Sequence, residues 1–381
     1  MQFMFGIPSF VHFGEGVSQK LGETAAGMGA KKAFVVYDKG VKAAGIVDGL
    51  IASLKAAGVE AVEYDGVLPN PPDTQVEEAA AIARSADVDI IVAVGGGSSI
   101  DSAKAINILL TNPSPINQYD GINTVKAPGK PLIAIPTTAG TASEVTAFSI
   151  VTDTARKKKM VIGGQFVGAT LALADPLLTV AMPPKITAST GLDALTHAIE
   201  AYVSKWAMIP TDVLALKAIE LIRKNIVTAT KNGSCVEARS AMLLGSMMAG
   251  FAFTNAVLGL VHSIAHPLSA HFNLPHGVAN AIGLPYVMEY NMASAPARFR
   301  DIAVALGIDV TGMSDAAAAQ AAVDLVKSLN RELEIPTLKE CGITRDMFDL
   351  IAEDALKEVS TLFNPRDPSK EDILAILEKA Y

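Results

Sequence analysis

DIIVAVGGGSSID, residues 89–101, decides the fold. Its aliphatic run from Ile90 to Val94 has the length and β-branching of a fully buried strand. The run ends in Gly95-Gly96-Gly97 and two serines, after which SAKAINILLT (102–111) carries a helical pattern. Glycines between a buried strand and a helix let backbone N–H groups approach an anion, and a helix N-terminus favours negative charge. The segment lacks the G-x-G-x-x-G spacing, so alone it predicts either a phosphate-cradling turn or an unliganded tight turn.

The same alternation extends outward on both sides. AFVVYD (33–38), AVEYDG (61–66) and PLIAIPTT (131–138) read as strands, and GIVDGLIASLKAAG (45–58) and QVEEAAAIARSA (75–86) as helices. Alternating strands and helices of this length predict βαβ units and a mostly parallel sheet. FMFGIPSFVHFG near the N-terminus predicts a hairpin or an edge strand, because Pro8 disfavours a central position. Pro183-Pro184 marks a boundary. Beyond it, 187–204, 211–227, 236–253 and 316–333 all carry helical periodicity. The expected architecture is an α/β dinucleotide-binding domain over 1–182 followed by an all-helical domain over 183–381.

Composition narrows the function. Of 381 residues, 50% are hydrophobic and 18% charged, which excludes a disordered chain. A net charge of −8 argues against nucleic acid as a partner. The two cysteines, Cys235 and Cys341, form no metal-binding spacing and fit a reducing compartment, so a cytoplasmic protein without a signal peptide is expected. From Ser240 to Met288 no Asp, Glu, Lys or Arg occurs, and MLLGSMMAGFAFTNAVLGLV (242–261) is long enough to span a bilayer. Interruption by Asn255, Pro267, Asn273, Pro275, Asn280 and four histidines favours a helix buried beside a polar site, with no membrane partner.

Five of the six histidines fall between His197 and His276. Asp193 and His197 are four apart, as are His262 and His266, so each pair shares a helix face. His276 follows Pro275, near a helix start. Three imidazoles and a carboxylate suit Zn(II) or Fe(II). A lone histidine on a helix is usually a hydrogen-bonded core or surface residue. Clustering in a stretch without charges raises the odds of a metal, since such side chains are costly there unless satisfied. Asp38, ending the strand AFVVYD, is placed to accept from a ribose hydroxyl, although acids at strand ends are ordinary. PTTAGTASEVT (136–146) is either a helix cap or a nucleotide-contacting loop.

Taken in order, GIPSFVHFGEG, PNPPD, GGGSSID, PTTAGTASE, GLDALTHAIEAY, GLVHSIAHPL, NLPHGVANAI and NPR (364–366) resemble the iron-containing (group III) alcohol dehydrogenases of the dehydroquinate synthase-like superfamily. The likeness spans essentially the whole chain and is nearest the lactaldehyde reductase (propanediol oxidoreductase) branch. It implies that Asp193, His197, His262 and His276 ligate Fe2+ or Zn2+, with His266 as a nearby group or proton relay. Matching motif positions imply that Gly96, Gly97, Ser98 and Asp101 serve the pyrophosphate. They likewise implicate Asn70, Thr137, Thr138, Thr141, Lys159 and Leu178 in further NAD contacts. Asp38 matches the acidic position associated with NAD, whose carboxylate would repel the 2′-phosphate of NADP. Phe148, Phe253 and His271 are the candidates for the substrate pocket. Phe148 and Ser149, and SAHF after HPL, depart from the branch and bear on the substrate.

The expected activity is reversible, metal-dependent hydride transfer between NAD(H) and a short aldehyde or primary alcohol or diol, in a homodimer or larger homo-oligomer. The alternatives are a reductase of an anionic aldehyde such as sulfoacetaldehyde, a zinc polyol dehydrogenase, and a dehydroquinate synthase-like lyase of the same fold. From another class comes a metal- and NAD-binding module without turnover.

Overall fold

The computed structural model describes residues 3–381, which divide into two compact units. One runs from Ile7 to Met182; the other takes in Pro183–Tyr381 together with the described residues before Ile7.

The first unit is built on strands β1 (Phe10–Phe13), β2 (Lys32–Val36), β3 (Glu60–Tyr64), β4 (Ile90–Gly95), β5 (Gly121–Ile122), β6 (Leu132–Pro136), β7 (Phe148–Asp153), β8 (Lys158–Gly163) and β9 (Leu171–Ala174). Helices α1 (Leu21–Gly27), α2 (Lys39–Ala43), α3 (Ile46–Ala56), α4 (Asp73–Ala86) and α5 (Gly97–Thr111) connect them. Six strands form a wholly parallel sheet in the order β1-β9-β6-β4-β2-β3. Period-two alternation sends successive residues to opposite faces. Phe34, Val36, Ile91 and Ala93 join one buried cluster, while Ala33, Val35, Ile90 and Val92 join the other. Both faces are covered, so the central strands are apolar throughout.

From β2 the chain moves to β3 on one side; from β4 it moves to β6 on the other. The order therefore reverses between β2 and β4. Ligands of open parallel sheets bind beyond the carboxyl ends of the strands at such a reversal. Asp38 and the Gly95–Gly97 turn stand there. The N-terminal strand pairs in parallel with β9, Phe10 opposite Leu171, as an edge strand and not a hairpin. A second, three-stranded sheet in the order β5-β8-β7 includes an antiparallel hairpin that the strand–helix alternation did not anticipate.

The second unit is helical: α6 (Pro184–Val203), α7 (Ile209–Lys231), α8 (Val236–Ala256), α9 (Leu260–Phe272), α10 (His276–Asn291), α11 (Pro296–Ala305), α12 (Asp315–Glu332), α13 (Phe348–Lys357) and α14 (Lys370–Ala380). Helices α6, α7 and α8 pack together, with Leu192, Leu195, Ile219, Ile222, Ile226, Leu243 and Met247 buried among them. The long apolar run is split between α8 and α9, whose axes meet at 102°. Among the described residues no single helix is long and apolar enough to cross a membrane; only this bent pair meets that test jointly. At the bend, Val257 holds a φ of 63°, a strained value for a β-branched residue.

Candidate functional site

Three helices of the second unit each contribute side chains one turn apart. Asp193 and His197 lie on α6, His262 and His266 on α9, and His276 begins α10 with Asn280 four residues later. The close approach of α10 to α6 depends on Gly277. A Cβ there would lie 2.7 Å from the Ser189 carbonyl oxygen, one turn before Asp193. Glycine at 277 thus lets His276 reach the α6 ligand face.

One ligand atom from each of Asp193, His197, His262 and His276 lies within 4.8 Å of all the others. The Nε2 atoms of the three histidines stand 3.8, 3.9 and 3.8 Å from Asp193 Oδ1. A tetrahedral ion with bonds near 2.1 Å separates its ligands by roughly 3.4 Å, so modest contraction suffices. Two further observations support a cation. Asp193 Oδ2 is buried without a hydrogen-bond partner, which is costly for a carboxylate that meets no positive group. Asn280 Nδ2 lies 2.6 Å from Asp193 Oδ1, 3.0 Å from His262 Nε2 and 3.1 Å from His276 Nε2, so the acceptors of three residues converge on one point. The residues present fit a divalent ion.

Burial, then neighbouring imidazoles, hold His262 well below the ordinary histidine pKa. Burial has the same effect on His276, partly opposed by Asp193. Both rings are therefore neutral at pH 7, with lone pairs free for a cation. His266 is 7% exposed, its Nδ1 2.9 Å from Glu358 Oε2 and its ring stacked near His276 at 5.7 Å. Phe253 stacks on His197 at 4.5 Å, placing an aromatic wall beside the cluster. His271 stands elsewhere: nine residues past His262, roughly 13 Å along α9, with Nε2 2.8 Å from Asp354 Oδ2.

In the first unit the glycine turn and the hydroxyl-rich loop meet. Gly96 caps α5, whose first amides, at Gly97, Ser98 and Ser99, have no partner within the helix. A Cβ on Gly96 would lie 3.1 Å from Thr138, and one on Gly97 would lie 2.7 Å from Thr141 Cγ2. Thr137 donates its N–H to Gly95 at 3.0 Å. Asp38 serves two ends: Oδ1 caps α2 through Gly40 and Val41, and Oδ2 accepts from Ser99 Oγ at 3.2 Å. Lys159 Nζ lies 2.7 Å from Asn70 Oδ1, and burial pushes its pKa down to about 8. Leu178 is half-buried against the core.

Asp101 is placed differently from an anion-binding group. It lies inside α5, where Oδ2 accepts the Ile150 N–H at 3.2 Å and burial pushes its pKa up to about 6. Phe148 opens β7, and its carbonyl accepts from the buried Lys104 Nζ at 2.6 Å.

Residues 8–176 match the model of the iron-containing alcohol dehydrogenases, and residues 187–381 match the C-terminal model of the same family. The chain belongs to the iron-containing alcohol dehydrogenase family. A 1,3-propanediol dehydrogenase of Klebsiella pneumoniae is 42% identical, covering 100% of this chain and 99% of its own length. A lactaldehyde reductase of Escherichia coli is 40% identical over 97% of each. The crystal structure of a 1,3-propanediol oxidoreductase superposes with a TM-score of 0.97 over the full length of both chains, at 42% identity. A more distant family structure, a sulfoacetaldehyde reductase of Bifidobacterium kashiwanohense at 29% identity and TM-score 0.90, was solved with NAD+; coverage is 100% of this chain and 99% of that one. As a member of the iron-containing alcohol dehydrogenase family the protein is a metal-dependent oxidoreductase that interconverts alcohols and aldehydes with NAD(H).

Three residues at the iron-family site escaped the motif reading: Glu200, Asn280 and Glu358. Spacing held a signal for two of them. Glu200 is seven residues from Asp193 and Asn280 four from His276, so each continues a ligand-bearing face. Glu358 lies on a distant segment and had none.

Proposed function

We propose that the chain reduces a short hydroxyaldehyde, such as 3-hydroxypropanal or lactaldehyde, to the diol with NADH, and runs the reverse oxidation. The observation that carries this reading is the Asp193–His197–His262–His276 cluster, in a chain with 1,3-propanediol and lactaldehyde enzymes among its relatives. A divalent iron or zinc held by these four would act as Lewis acid on the substrate oxygen, while the nicotinamide carries the hydride.

The chain's own side chains do the rest. Neutral His262 and His276 keep lone pairs for the ion, and Asp193 supplies the anionic ligand. Phe253 excludes water from the His197 side. His266, oriented through Nδ1 by Glu358, takes up or delivers the hydroxyl proton at Nε2. The amides at the start of α5 bind the pyrophosphate, with Thr138 and Thr141 closing over it; Asn70, Thr137, Lys159 and Leu178 complete the nucleotide contacts. Asp38 selects NAD over NADP. Edge strand β1, with Phe10 81% exposed, supports a homodimer formed by strand pairing. Sedimentation as a monomer would remove that last element.

The test follows NADH oxidation at 340 nm after anaerobic loading with Fe(II) or Zn(II). Substrates are 3-hydroxypropanal, lactaldehyde, propanal and sulfoacetaldehyde, with His262→Ala as control. Metal-dependent turnover led by the hydroxyaldehydes and lost in the variant supports the reading. Preference for sulfoacetaldehyde would replace the substrate class, and nucleotide binding without turnover would overturn the activity.

A further inference from the structure

Glu200 is a carboxylate on the ligand face of α6 that no motif assigned. It is 3% exposed and, among the described residues, is paired with no Lys or Arg. Its two oxygens serve two consecutive residues at the start of α9. Oε1 accepts the Val261 N–H at 2.7 Å, and Oε2 lies 2.5 Å from His262 Nδ1. Val261 carries one of the first-turn amides that a helix cannot satisfy internally.

The other side of the His262 ring is also defined. Its Nε2 faces the Asn280 amide nitrogen, a donor, at 3.0 Å. A carboxylate at Nδ1 and an amide N–H at Nε2 require the same tautomer: the proton on Nδ1, the lone pair on Nε2. That lone pair points where those of His276 and Asp193 point. His197 has no such anionic partner; its Nδ1 is buried and unpaired.

Resting on the metal reading above, we propose that Glu200 is a positioning residue for the ion: it fixes the Nδ1–H tautomer of His262 and sets the ring's angle. Partners of this kind raise the basicity of a ligating imidazole, and their loss costs about 10–100-fold in metal affinity.

Two substitutions separate this role from simple packing. In Glu200→Gln the side-chain oxygen keeps the Val261 N–H, which turns the amide NH2 toward His262 Nδ1. The ring must then accept at Nδ1 and carry its proton on Nε2, aimed at the other ligands. In Glu200→Met the Val261 amide loses its partner, but His262 is free to choose its tautomer. Metal-free stability, read as Tm, is therefore expected in the order wild type, Gln, Met. Zn(II) affinity by chelator competition is expected in the order wild type, Met, Gln, with Gln weaker than wild type by 10-fold or more.

Nitrogen-15 NMR of the histidine rings should show His262 as Nδ1–H in the wild type and Nε2–H in Glu200→Gln. NADH binding should be unchanged in both variants. Affinity that follows the stability order reduces Glu200 to a helix-capping residue and overturns the proposal. So does an Nε2–H His262 in the wild type, which needs no variant to fold. Failure of the wild type itself to bind Zn(II) or Fe(II) would instead remove the metal assignment, and this inference with it.

Discussion

Gly97→Ala probes the proposed cofactor cradle where the glycine turn meets Thr141. The added methyl would sit 2.7 Å from Thr141 Cγ2, 3.0 Å from Oγ1 and 3.1 Å from Cβ. Carbon atoms in contact prefer about 3.5–4.0 Å, so one loop must retreat by roughly 1 Å. Overpacking of this kind costs about 1–3 kcal/mol, offset by up to ~1 kcal/mol because alanine favours a helix over glycine. The net stability change is therefore about 0–3 kcal/mol, and a loss of ligand affinity comes in addition to it. Losing one charge-assisted amide contact to a pyrophosphate forfeits about 1.5–3 kcal/mol, or roughly 10- to 100-fold in NADH affinity.

Thr141→Ala removes the two closest-ranked obstacles apart from Cβ, leaving only the 3.1 Å contact. Thr141 Oγ1 also accepts from Ser143 Oγ at 3.1 Å, so the single variant is measured alongside. The double variant should recover most of the lost affinity, with a coupling energy of about 1–2 kcal/mol. NADH fluorescence titration gives the four dissociation constants of the cycle. Wild-type affinity in Gly97→Ala, or purely additive losses in the double variant, would refute the proposed contact of this turn with the nucleotide.

Asp38→Asn keeps a cap for α2 but removes the charge proposed to face the ribose. NADPH turnover should rise at least ~10-fold relative to NADH, with Tm within a degree or two, because asparagine caps a helix as well as aspartate does. An unchanged NADH/NADPH ratio would detach Asp38 from cofactor choice. Glu144 is buried, and burial pushes its carboxyl up to about 7. The folded state thus holds a proton that the unfolded chain releases near 4.5, and this contribution is lost as pH rises from about 4.5 through 7. Glu144→Gln should therefore gain Tm over the wild type progressively between pH 5 and 7.5, by the equivalent of on the order of 3 kcal/mol at most. Lys104 keeps acceptors from Thr146 and Phe148 in that variant. A Tm difference independent of pH would show that Glu144 does not titrate in this window.

Local pattern alone determined much of this protein. Burial on both faces makes β4 apolar throughout, and the glycines after it mark where backbone must come close to something else. The i,i+4 pairs Asp193–His197 and His262–His266 share helix faces whatever the surroundings, because helical geometry is local. Motif order was enough to read the family.

Tertiary structure decided what local periodicity cannot carry. Whether three helix faces converge depends on crossings such as α10 against α6, made possible at Gly277. Parallel pairing of β1 with β9 joins segments far apart in sequence, and no local signal fixes such a partner. Asp38 and Asp101 show the same limit. Their positions in the chain were readable, but what their oxygens accept from depends on Ser99 and Ile150 folding against them. His271 shares a helix with two site histidines, yet the helix carries it away to Asp354. Glu200 shares a helix with two ligands, and only the arrival of α9 turns it from a buried acid into the partner of His262. Side-chain chemistry is encoded residue by residue; the direction in which it acts is set by packing.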